Sequence, residues 1–284
     1  MIKNISFSNF IPVTYDCNEF CLNCPVQRKQ NKVNPSLSTL KAHVDKIAKH
    51  SRRIDINGGE PLLRSDLLLL LKYIESKNLE ISLLTNAQLF SYKKNAFLFS
   101  KIKKLKVITT IYGLDNMHDS ISRTPNSFHK KIQGVKNLIY YKVAIEFRVL
   151  LLKQNYKEID SITDFIIENF KPSDFVQLVF MNPKLTQSAN QNKKIIAEKI
   201  SVIAEKISNS LHKLSQLGYN VELYHFPHCI LPSTIQHLSK GLTASSPIVE
   251  YGDYCRECIK KEFCSRIWKS YLDEFGSEEF KPIK

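Results

Sequence analysis

Tyr15 to Pro25 reads YDCNEFCLNCP and carries three cysteines, Cys17, Cys21 and Cys24, in the spacing C-x3-C-x2-C. Three thiolates this close together on one loop can hold three corners of a [4Fe–4S] cube. The fourth iron would then lack a protein ligand, and an open coordination position is typical of a catalytic rather than a structural metal site. The alternative for the same residues is a zinc knuckle completed by a remote histidine.

Two further segments each follow a short stretch with the sequence pattern of a β-strand. Asn57-Gly58-Gly59-Glu60-Pro61 follows Ile54-Asp55-Ile56, and Thr85-Asn86 ends the run Ile81–Leu84. The two glycines let the backbone approach a ligand closely. Glu60 offers an acceptor for a cation, and Pro61 fixes the turn.

Together these segments resemble the radical S-adenosylmethionine (radical SAM) enzymes. The resemblance implies that the open iron chelates SAM and that an electron from the cluster cleaves its C–S bond. The resulting 5′-deoxyadenosyl radical would abstract hydrogen from an unactivated C–H bond. The resemblance also implies a set of SAM-binding residues, namely Gly58, Gly59, Glu60, Pro61, Thr85 and Asn86.

Arg148 lies inside an apolar strand, so it should have an anionic partner. The SAM carboxylate is one candidate, and a salt bridge with Glu146 or Asp55 is the alternative. The sequence departs from the family pattern at three positions. Asn23 stands where an aromatic residue is usual, and Ala87 and Asn126 stand where the family often has glycine.

Tyr112, His118 and Asp119 fall in a segment that resembles a recurrent family pattern and are candidates for substrate contact or acid–base chemistry. A pair of residues that orders the loop by hydrogen bonds is the favoured alternative.

The remaining cysteines form a second group in the spacing C-x25-C-x2-C-x5-C, at Cys229, Cys255, Cys258 and Cys264. This group resembles the auxiliary-cluster modules of SPASM/twitch-type radical SAM enzymes and implies a second [4Fe–4S] cluster. A structural zinc site is the alternative. His225 and His228 are expected to be structural, because four cysteines already suffice.

Six strand–helix units with short connections predict an α/β fold with a parallel sheet, a partial (β/α)6 TIM-like barrel. We expect a barrel domain over residues 1–218 and a small, loop-rich cluster module over residues 219–284. Ser36 or Ser38 is predicted to cap the first helix and Ser65 the second. The periodicity predicts one long helix over residues 190–217.

The 284 residues carry a net charge of +14, with lysines spread along helical stretches rather than grouped. An RNA-binding protein is the distant alternative; it would interleave aromatic and basic residues on one exposed face, and this sequence instead has its aromatic residues at core spacing. Nucleic acid is therefore not an expected partner. No signal peptide and no span of ~20 apolar residues is present, which predicts a cytoplasmic protein without membrane contact. In a cytoplasmic protein, seven cysteines are more typical of metal centres than of disulfides.

Three stretches, LLTNAQLF (83–90), IEFRVLLLKQN (145–155) and FPHCIL (226–231), resemble radical SAM maturases of ribosomally made peptides of the His-Xaa-Ser type. They imply an oxidoreductase that cross-links, epimerises or oxidises a peptide. A small metabolite such as an amino acid, sugar or nucleoside is the alternative substrate. No recognition domain of ~80 residues precedes Cys17, so the barrel or a separate partner is expected to bind the peptide. A flavodoxin or ferredoxin is the expected electron donor.

Overall fold

The computed structural model describes residues 9–26, 33–241, 243 and 247–284. Seven strands form one sheet and follow one another in chain order. The strands β1 to β4 pair in parallel with their neighbours, and β6 and β7 also pair in parallel. The predicted α/β class with an open parallel sheet is confirmed, and the sheet has one strand more than the six predicted units. The strands are β1 (Phe10–Pro12), β2 (Arg53–Asn57), β3 (Glu80–Leu84), β4 (Leu105–Ile111), β5 (Ala144–Leu150), β6 (Gln177–Met181) and β7 (Val221–Tyr224).

A separate antiparallel ribbon pairs β8 (Val249–Glu250) with β9 (Ile267–Trp268). Helices connect consecutive strands of the sheet, as expected for parallel neighbours, which need crossover connections. Within the described ranges no helix is both long and apolar enough to cross a membrane. The helices are α1 (Leu37–Ala48), α2 (Leu67–Ser76), α3 (Lys93–Phe99), α4 (Asp115–Ser122), α5 (Ser127–Tyr140), α6 (Ile159–Asn169), α7 (Ser188–Gln191), α8 (Lys193–Ile196), α9 (Ile200–Gln216) and α10 (Lys269–Phe275).

The chain groups into two compact units. The first contains Met1–Cys21, Val26–Thr110 and His118–Phe147, and the second contains Leu22–Pro25, Ile111–Met117 and Arg148–Lys284. The first unit therefore holds most of the cysteine loop with the strands β1 to β4. The second holds the strands β6 and β7 with the C-terminal cysteines. The predicted boundary after residue 218 remains a prediction.

The first two helices show how capping chemistry sets their starts. The hydroxyl of Ser36 accepts a hydrogen bond from the backbone N–H of Thr39 at 3.1 Å, which confirms it as the cap of α1. The expected cap at Ser65 is wrong, because α2 starts at Leu67 and Asp66 occupies the cap position. The Asp66 carboxylate does not cap the helix either, since Arg64 binds it through two nitrogens at 2.6 and 2.8 Å.

The predicted long helix over residues 190–217 is wrong in its first third. Two short helices, α7 and α8, precede it, and α9 begins only at Ile200. Remote side chains take the first backbone donors of α9: the Tyr271 hydroxyl accepts from Ile200 N at 2.9 Å, and Glu279 accepts from Ser201 N at 3.0 Å. The helix start is thus set by tertiary partners that local periodicity does not reveal.

Candidate active site and second cysteine site

In the first unit, the loops that follow β1 and β2 leave the sheet at the same edge. Pro12 at the end of β1 is paired with Asn57 at the end of β2. The loop after β1 carries Cys17 and Cys21, and the segment after β2 carries Gly58 and Gly59. The carboxyl ends of parallel strands are where α/β proteins hold ligands. The structure therefore places the loop of Cys17 and Cys21 beside the glycine segment within the first unit.

Backbone hydrogen bonds join the two loops directly. Gly59 N donates to the carbonyl of Thr14 at 2.8 Å, and Glu60 N donates to the carbonyl of Asp16 at 2.7 Å. A Cβ atom on Gly58 would lie 2.3 Å from the Thr14 oxygen, and one on Gly59 would lie 2.1 Å from the Asp16 oxygen. Gly58 also has a φ of +140°, which other residues rarely adopt. These glycines are thus required for the loops to approach each other.

Glu60 is buried and connects the second and third strand ends. Its Oε1 accepts from Leu62 N at 3.0 Å and from the Thr85 hydroxyl at 2.7 Å, and its Oε2 accepts from Asn86 N at 2.7 Å. Burial raises the pKa of Glu60 to about 7. The carboxylate predicted to accept from the SAM ammonium therefore already accepts three hydrogen bonds from the protein, and it fixes Thr85 and Asn86 in place.

Beneath the cysteines lies a set of buried polar groups that the sequence interpretation missed. The Cys21 thiol donates to Glu19 Oε2 at 3.1 Å, and Gln88 Nε2 donates to Glu19 Oε1 at 2.8 Å. Lys131 Nζ lies 3.9 Å from Glu19 and donates to the carbonyl of Thr110 at 2.6 Å. Lys131 stands at a core position between Phe128 and Val135 on α5. A lysine at a core position of the helical pattern is the sequence signal that could have revealed this buried cation.

The three cysteines of the first motif are half-buried, and none of them forms a disulfide with another described cysteine. Cys17 and Cys21 belong to the first unit, with Glu19 between them, whereas Cys24 lies in the segment Leu22–Pro25 that groups with the second unit. The donor set fits an iron–sulfur cluster, because thiolates are the ligands that such clusters take. That the three bind one cluster remains a prediction from the motif.

The positions where Ala87 and Asn126 replace family glycines both have left-handed backbones. The φ of Ala87 is +61° and that of Asn126 is +59°. Left-handed residues other than glycine are uncommon, and asparagine tolerates the conformation better than alanine does. The chain thus keeps the glycine-type conformation at both positions without the glycine.

Asp119 has a structural role that its hydrogen bonds define. Its carboxylate accepts from Asn126 N, from the Ser127 hydroxyl at 2.7 Å and from Phe128 N at 2.9 Å. These donors lie at the start of α5, so Asp119 caps that helix from outside it. This arrangement supports the loop-ordering interpretation of the segment.

The other two substrate candidates lie in different surroundings. His118 is completely buried, and burial lowers its pKa well below the usual value, so the imidazole is neutral. Tyr112 is half-buried, and its carbonyl accepts from Asn155 Nδ2 at 2.8 Å. A substrate role for either residue stays a prediction.

The guanidinium of Arg148 lies over the ring of Tyr224, 5.7 Å from its centroid, and the side chain is half-buried. Of the carboxylates considered as its partners, Glu146 binds Lys106 at 2.6 Å and Asp55 binds Arg53 at 2.9 Å. Each carboxylate thus has a cation other than Arg148. These contacts do not test whether Arg148 binds the SAM carboxylate, and that role remains a prediction.

The four C-terminal cysteines line one cavity within the second unit. The lining also contains several cations and no acidic side chain. The backbone N–H of Arg266 donates to the Cys264 sulfur at 3.4 Å, a contact that would also stabilise a bound thiolate. The structure thus brings together all four predicted ligands. They are Cys229, Cys255, Cys258 and Cys264, accompanied by Lys260, Lys261, Arg266 and Lys281.

Four thiols in one cavity suit either an iron–sulfur cluster or a zinc ion. Burial, followed by the neighbouring thiols, raises the pKa of Cys229 to about 12, and burial also raises the pKa of Cys255 and of Cys264. In the part of the chain that the structure describes, no three His, Cys, Asp or Glu side chains could hold a single metal ion.

The two histidines near Cys229 differ in their surroundings. His225 is buried and stacks on Trp268, with ring centroids 3.7 Å apart. His228 lines the cysteine cavity, and burial lowers its pKa. The expectation that neither histidine is a metal ligand remains a prediction.

The family model described as the Radical SAM superfamily matches residues 11–166 of this chain, which is more than half of its length. The match covers the first cysteine motif and the glycine segment. It also includes the predicted positions Thr85, Asn86 and Arg148.

Two curated relatives match at low identity. Fe-coproporphyrin III synthase of Methanosarcina barkeri is 26% identical over 244 residues, which is 80% of this chain and 57% of the relative. A probable GTP 3′,8-cyclase of Sulfurisphaera tokodaii is 26% identical over 178 residues, 61% of this chain and 55% of the relative. The chain therefore spans less than two thirds of the length of these relatives.

Solved structures show the same fold. SuiB of Streptococcus suis bound to the precursor peptide SuiA matches with a TM-score of 0.64 at 17% identity, covering 75% of this chain and 48% of SuiB. The enzyme anSMEcpe with bound AdoMet matches with a TM-score of 0.59 at 17% identity, covering 75% of this chain and 62% of that chain.

Proposed function

The chain belongs to the radical SAM superfamily, and from this membership we propose that Cys17, Cys21 and Cys24 hold a [4Fe–4S] cluster to which S-adenosylmethionine binds. When bound, the cluster and SAM together supply a 5′-deoxyadenosyl radical that abstracts hydrogen from an unactivated C–H bond. The observation that carries the proposal is the direct backbone bonding between the cysteine loop and the segment Gly59–Glu60.

The residues of the chain position the cofactor in this proposal. Gly58 and Gly59 let the segment after β2 lie against the cysteine loop, and Pro61 keeps its turn fixed. Glu60 holds Thr85 and Asn86 at the same edge, and both are proposed to contact SAM. Arg148 is proposed to bind the SAM carboxylate.

We further propose that the C-terminal cysteines hold a second [4Fe–4S] cluster, with zinc as the alternative. Four thiols lining one cavity would complete the coordination of such a cluster and leave no iron open for substrate. The cluster would then carry electrons or support the substrate pocket. A flavodoxin or ferredoxin is the proposed electron donor, and described cysteines without disulfides suit a reducing compartment such as the cytoplasm.

The proposed substrate is a ribosomally made peptide, which would be cross-linked, epimerised or oxidised. The likeness to SuiB bound to its precursor peptide supports this choice. The second candidate is a small metabolite, and the names of the curated relatives, a coproporphyrin synthase and a GTP cyclase, support it.

Anaerobic reconstitution with iron and sulfide, followed by iron counting and a dithionite-dependent assay of SAM cleavage, tests the proposal. We expect about eight irons per chain and release of 5′-deoxyadenosine. Cys17→Ala should abolish the cleavage, and Cys264→Ala should reduce the iron content to about four. Cleavage that persists in the Cys17→Ala variant would overturn the assignment. About four irons with one zinc in the wild-type protein would make the C-terminal site a zinc site.

The substrate class is tested by hydrogen transfer. Deuterated cell extract is separated into a peptide fraction and a small-molecule fraction, and each is incubated with the reconstituted enzyme and SAM. We expect deuterium in 5′-deoxyadenosine from the peptide fraction. Transfer from the small-molecule fraction alone would favour the second candidate.

A further inference from the structure

Four side chains meet at the carboxyl edge of β6 and β7 in the second unit, apart from the cysteine sites. Asn182 follows β6, and His225 follows β7; the amide of Asn182 donates to the carbonyl of His225. Trp268, from the ribbon strand β9, stacks on the His225 ring with centroids 3.7 Å apart. The ammonium of Lys184 lies 5.8 Å from the centroid of the Trp268 ring.

Three polar atoms of this group are buried without a hydrogen-bond partner among the residues that the structure describes. They are Asn182 Oδ1, His225 Nδ1 and Trp268 Nε1. Their side chains are at most 7% exposed. A buried polar group without a partner is destabilising, so three of them at one edge of the sheet indicate that something else supplies partners.

The backbone at His225 points the same way. Its φ is +63°, in the left-handed region that only a few per cent of residues other than glycine adopt. The Thr243 hydroxyl lies 3.1 Å from His225 Nε2 and holds the ring in place. A strained residue with a fixed ring at the edge of a parallel sheet is typical of a binding site.

The charge around the group is positive. Lys184 is half-buried, and it has no ion-pair partner in the described part of the chain. Burial, and then the charges of Arg148 and Lys184, lower the pKa of His225 to about 3, so its ring is neutral. A cation without a carboxylate beside buried donors is an arrangement that suits an oxyanion.

We propose that Lys184, His225 and Trp268 bind a carboxylate or phosphate group of the substrate, and that Asn182 accepts a hydrogen bond from a neighbouring hydroxyl or N–H of the same molecule. Trp268 Nε1–H can only donate, and the Lys184 ammonium also only donates, so both need an acceptor. Asn182 Oδ1 can only accept, so the molecule that binds here should carry a hydroxyl or N–H donor next to its anionic group. This inference rests on the proposed function in one respect, namely that the bound anion belongs to the substrate.

Trp268 is the only tryptophan of the chain and therefore reports on the site by its own fluorescence. Reconstituted protein with SAM is titrated with pyrophosphate and, separately, with citrate, against potassium chloride at matched ionic strength. We expect a saturable change in Trp268 emission with at least one of the two oxyanions and none with chloride. A response to pyrophosphate alone indicates a substrate phosphate, and a response to citrate alone a substrate carboxylate.

Two variants test the assignment of the residues. Lys184→Met should weaken oxyanion binding at least tenfold, since it removes a charge-assisted hydrogen bond. His225→Phe keeps a ring against Trp268 but removes the nitrogens, and should also weaken binding. The matched control is Lys213→Met, which removes an exposed lysine that binds Asp164, and it should bind as the wild type does.

Absence of any oxyanion response in the wild type, or an unchanged affinity in Lys184→Met, would overturn the proposal. Substrate-free SAM cleavage by the wild type is measured in parallel. If that cleavage fails while the oxyanion response is present, the proposed function is wrong and the anion site stands.

Discussion

The ammonium of Lys131 lies 3.9 Å from the carboxylate of Glu19, and both side chains are almost completely buried. Glu19 stands between two predicted cluster ligands and accepts from the Cys21 thiol. Removing one partner of a buried pair leaves an uncompensated charge, which costs about 3–5 kcal/mol. We expect Lys131→Met and Glu19→Gln each to lower the free energy of unfolding by about that amount, measured by urea unfolding of the metal-free protein under anaerobic conditions.

The double variant separates pairing from simple packing. With both charges removed, most of the loss from either single change should be recovered. Lys213→Met breaks an exposed pair with Asp164 and should cost at most about 1 kcal/mol. Strictly additive losses in the double variant would show that the two residues do not stabilise each other.

The buried carboxyl of Glu60 should make stability depend on pH. Its pKa rises from the ordinary 4.5 to about 7 in the folded protein, mainly through burial. Between these values the folded state binds more protons at Glu60 than the unfolded chain, so the free energy of unfolding falls as the pH rises. We expect a contribution of about 3 kcal/mol near pH 4.5 that is lost by pH 7 to 8.

Glu60→Gln isolates this contribution, because the amide does not titrate. The difference in unfolding free energy between wild type and variant, measured without SAM from pH 4.5 to 8, should decline steadily and then level. A difference that stays constant with pH would mean that Glu60 does not change its protonation in this range.

The left-handed backbone at Ala87 predicts a stabilising glycine. Alanine in this conformation costs about 1–2 kcal/mol, which glycine avoids. Ala87→Gly should therefore raise the free energy of unfolding by up to about 1 kcal/mol, measured by urea unfolding, after the greater freedom of the unfolded glycine is subtracted. Ala96→Gly is the matched control: the same change inside α3 should lower it by about 1 kcal/mol. Losses in both variants would count against strain at Ala87.

Asp119 should prove to be a helix cap rather than an acid or base. Asp119→Ala removes the acceptor for the backbone N–H groups of Asn126 and Phe128, and should cost about 1–2 kcal/mol in thermal or urea unfolding. Ser127→Ala removes one contact to the same carboxylate and should cost less. We expect 5′-deoxyadenosine formation per folded molecule to be unchanged in the Asp119 variant. A folded variant that makes none would restore the acid–base role.

The fold was predictable where the sequence signal is local. The first helix shows this, because Ser36, one of its two predicted caps, accepts a hydrogen bond from Thr39 N at the start of the helix. The start of α9 was not predictable, because its first backbone N–H groups donate to the hydroxyl of Tyr271 and the carboxylate of Glu279, which are distant in the sequence. Residues that depend on distant partners leave no periodic mark in their own neighbourhood.

The same contrast holds for the sites. The spacing of the cysteines indicated both groups, and the cavity lined by Cys229, Cys255, Cys258 and Cys264 matches the second. Glu19, Lys131 and Gln88 were missed, because each is a single polar residue whose partner lies in another element. Lys184 and Trp268 were missed for the same reason, since only the folded chain brings the ribbon strand to the sheet edge.

The strand order of the sheet has a consequence for how the protein is made. Because the strands lie side by side in the order of the chain, each can pair with a neighbour that has already left the ribosome. The strands β2 and β3, whose ends contact the loop of Cys17 and Cys21, are thus available for pairing before Cys255 has been translated. The proposed ligands of the two clusters therefore leave the ribosome one group after the other, and those of the first motif come first.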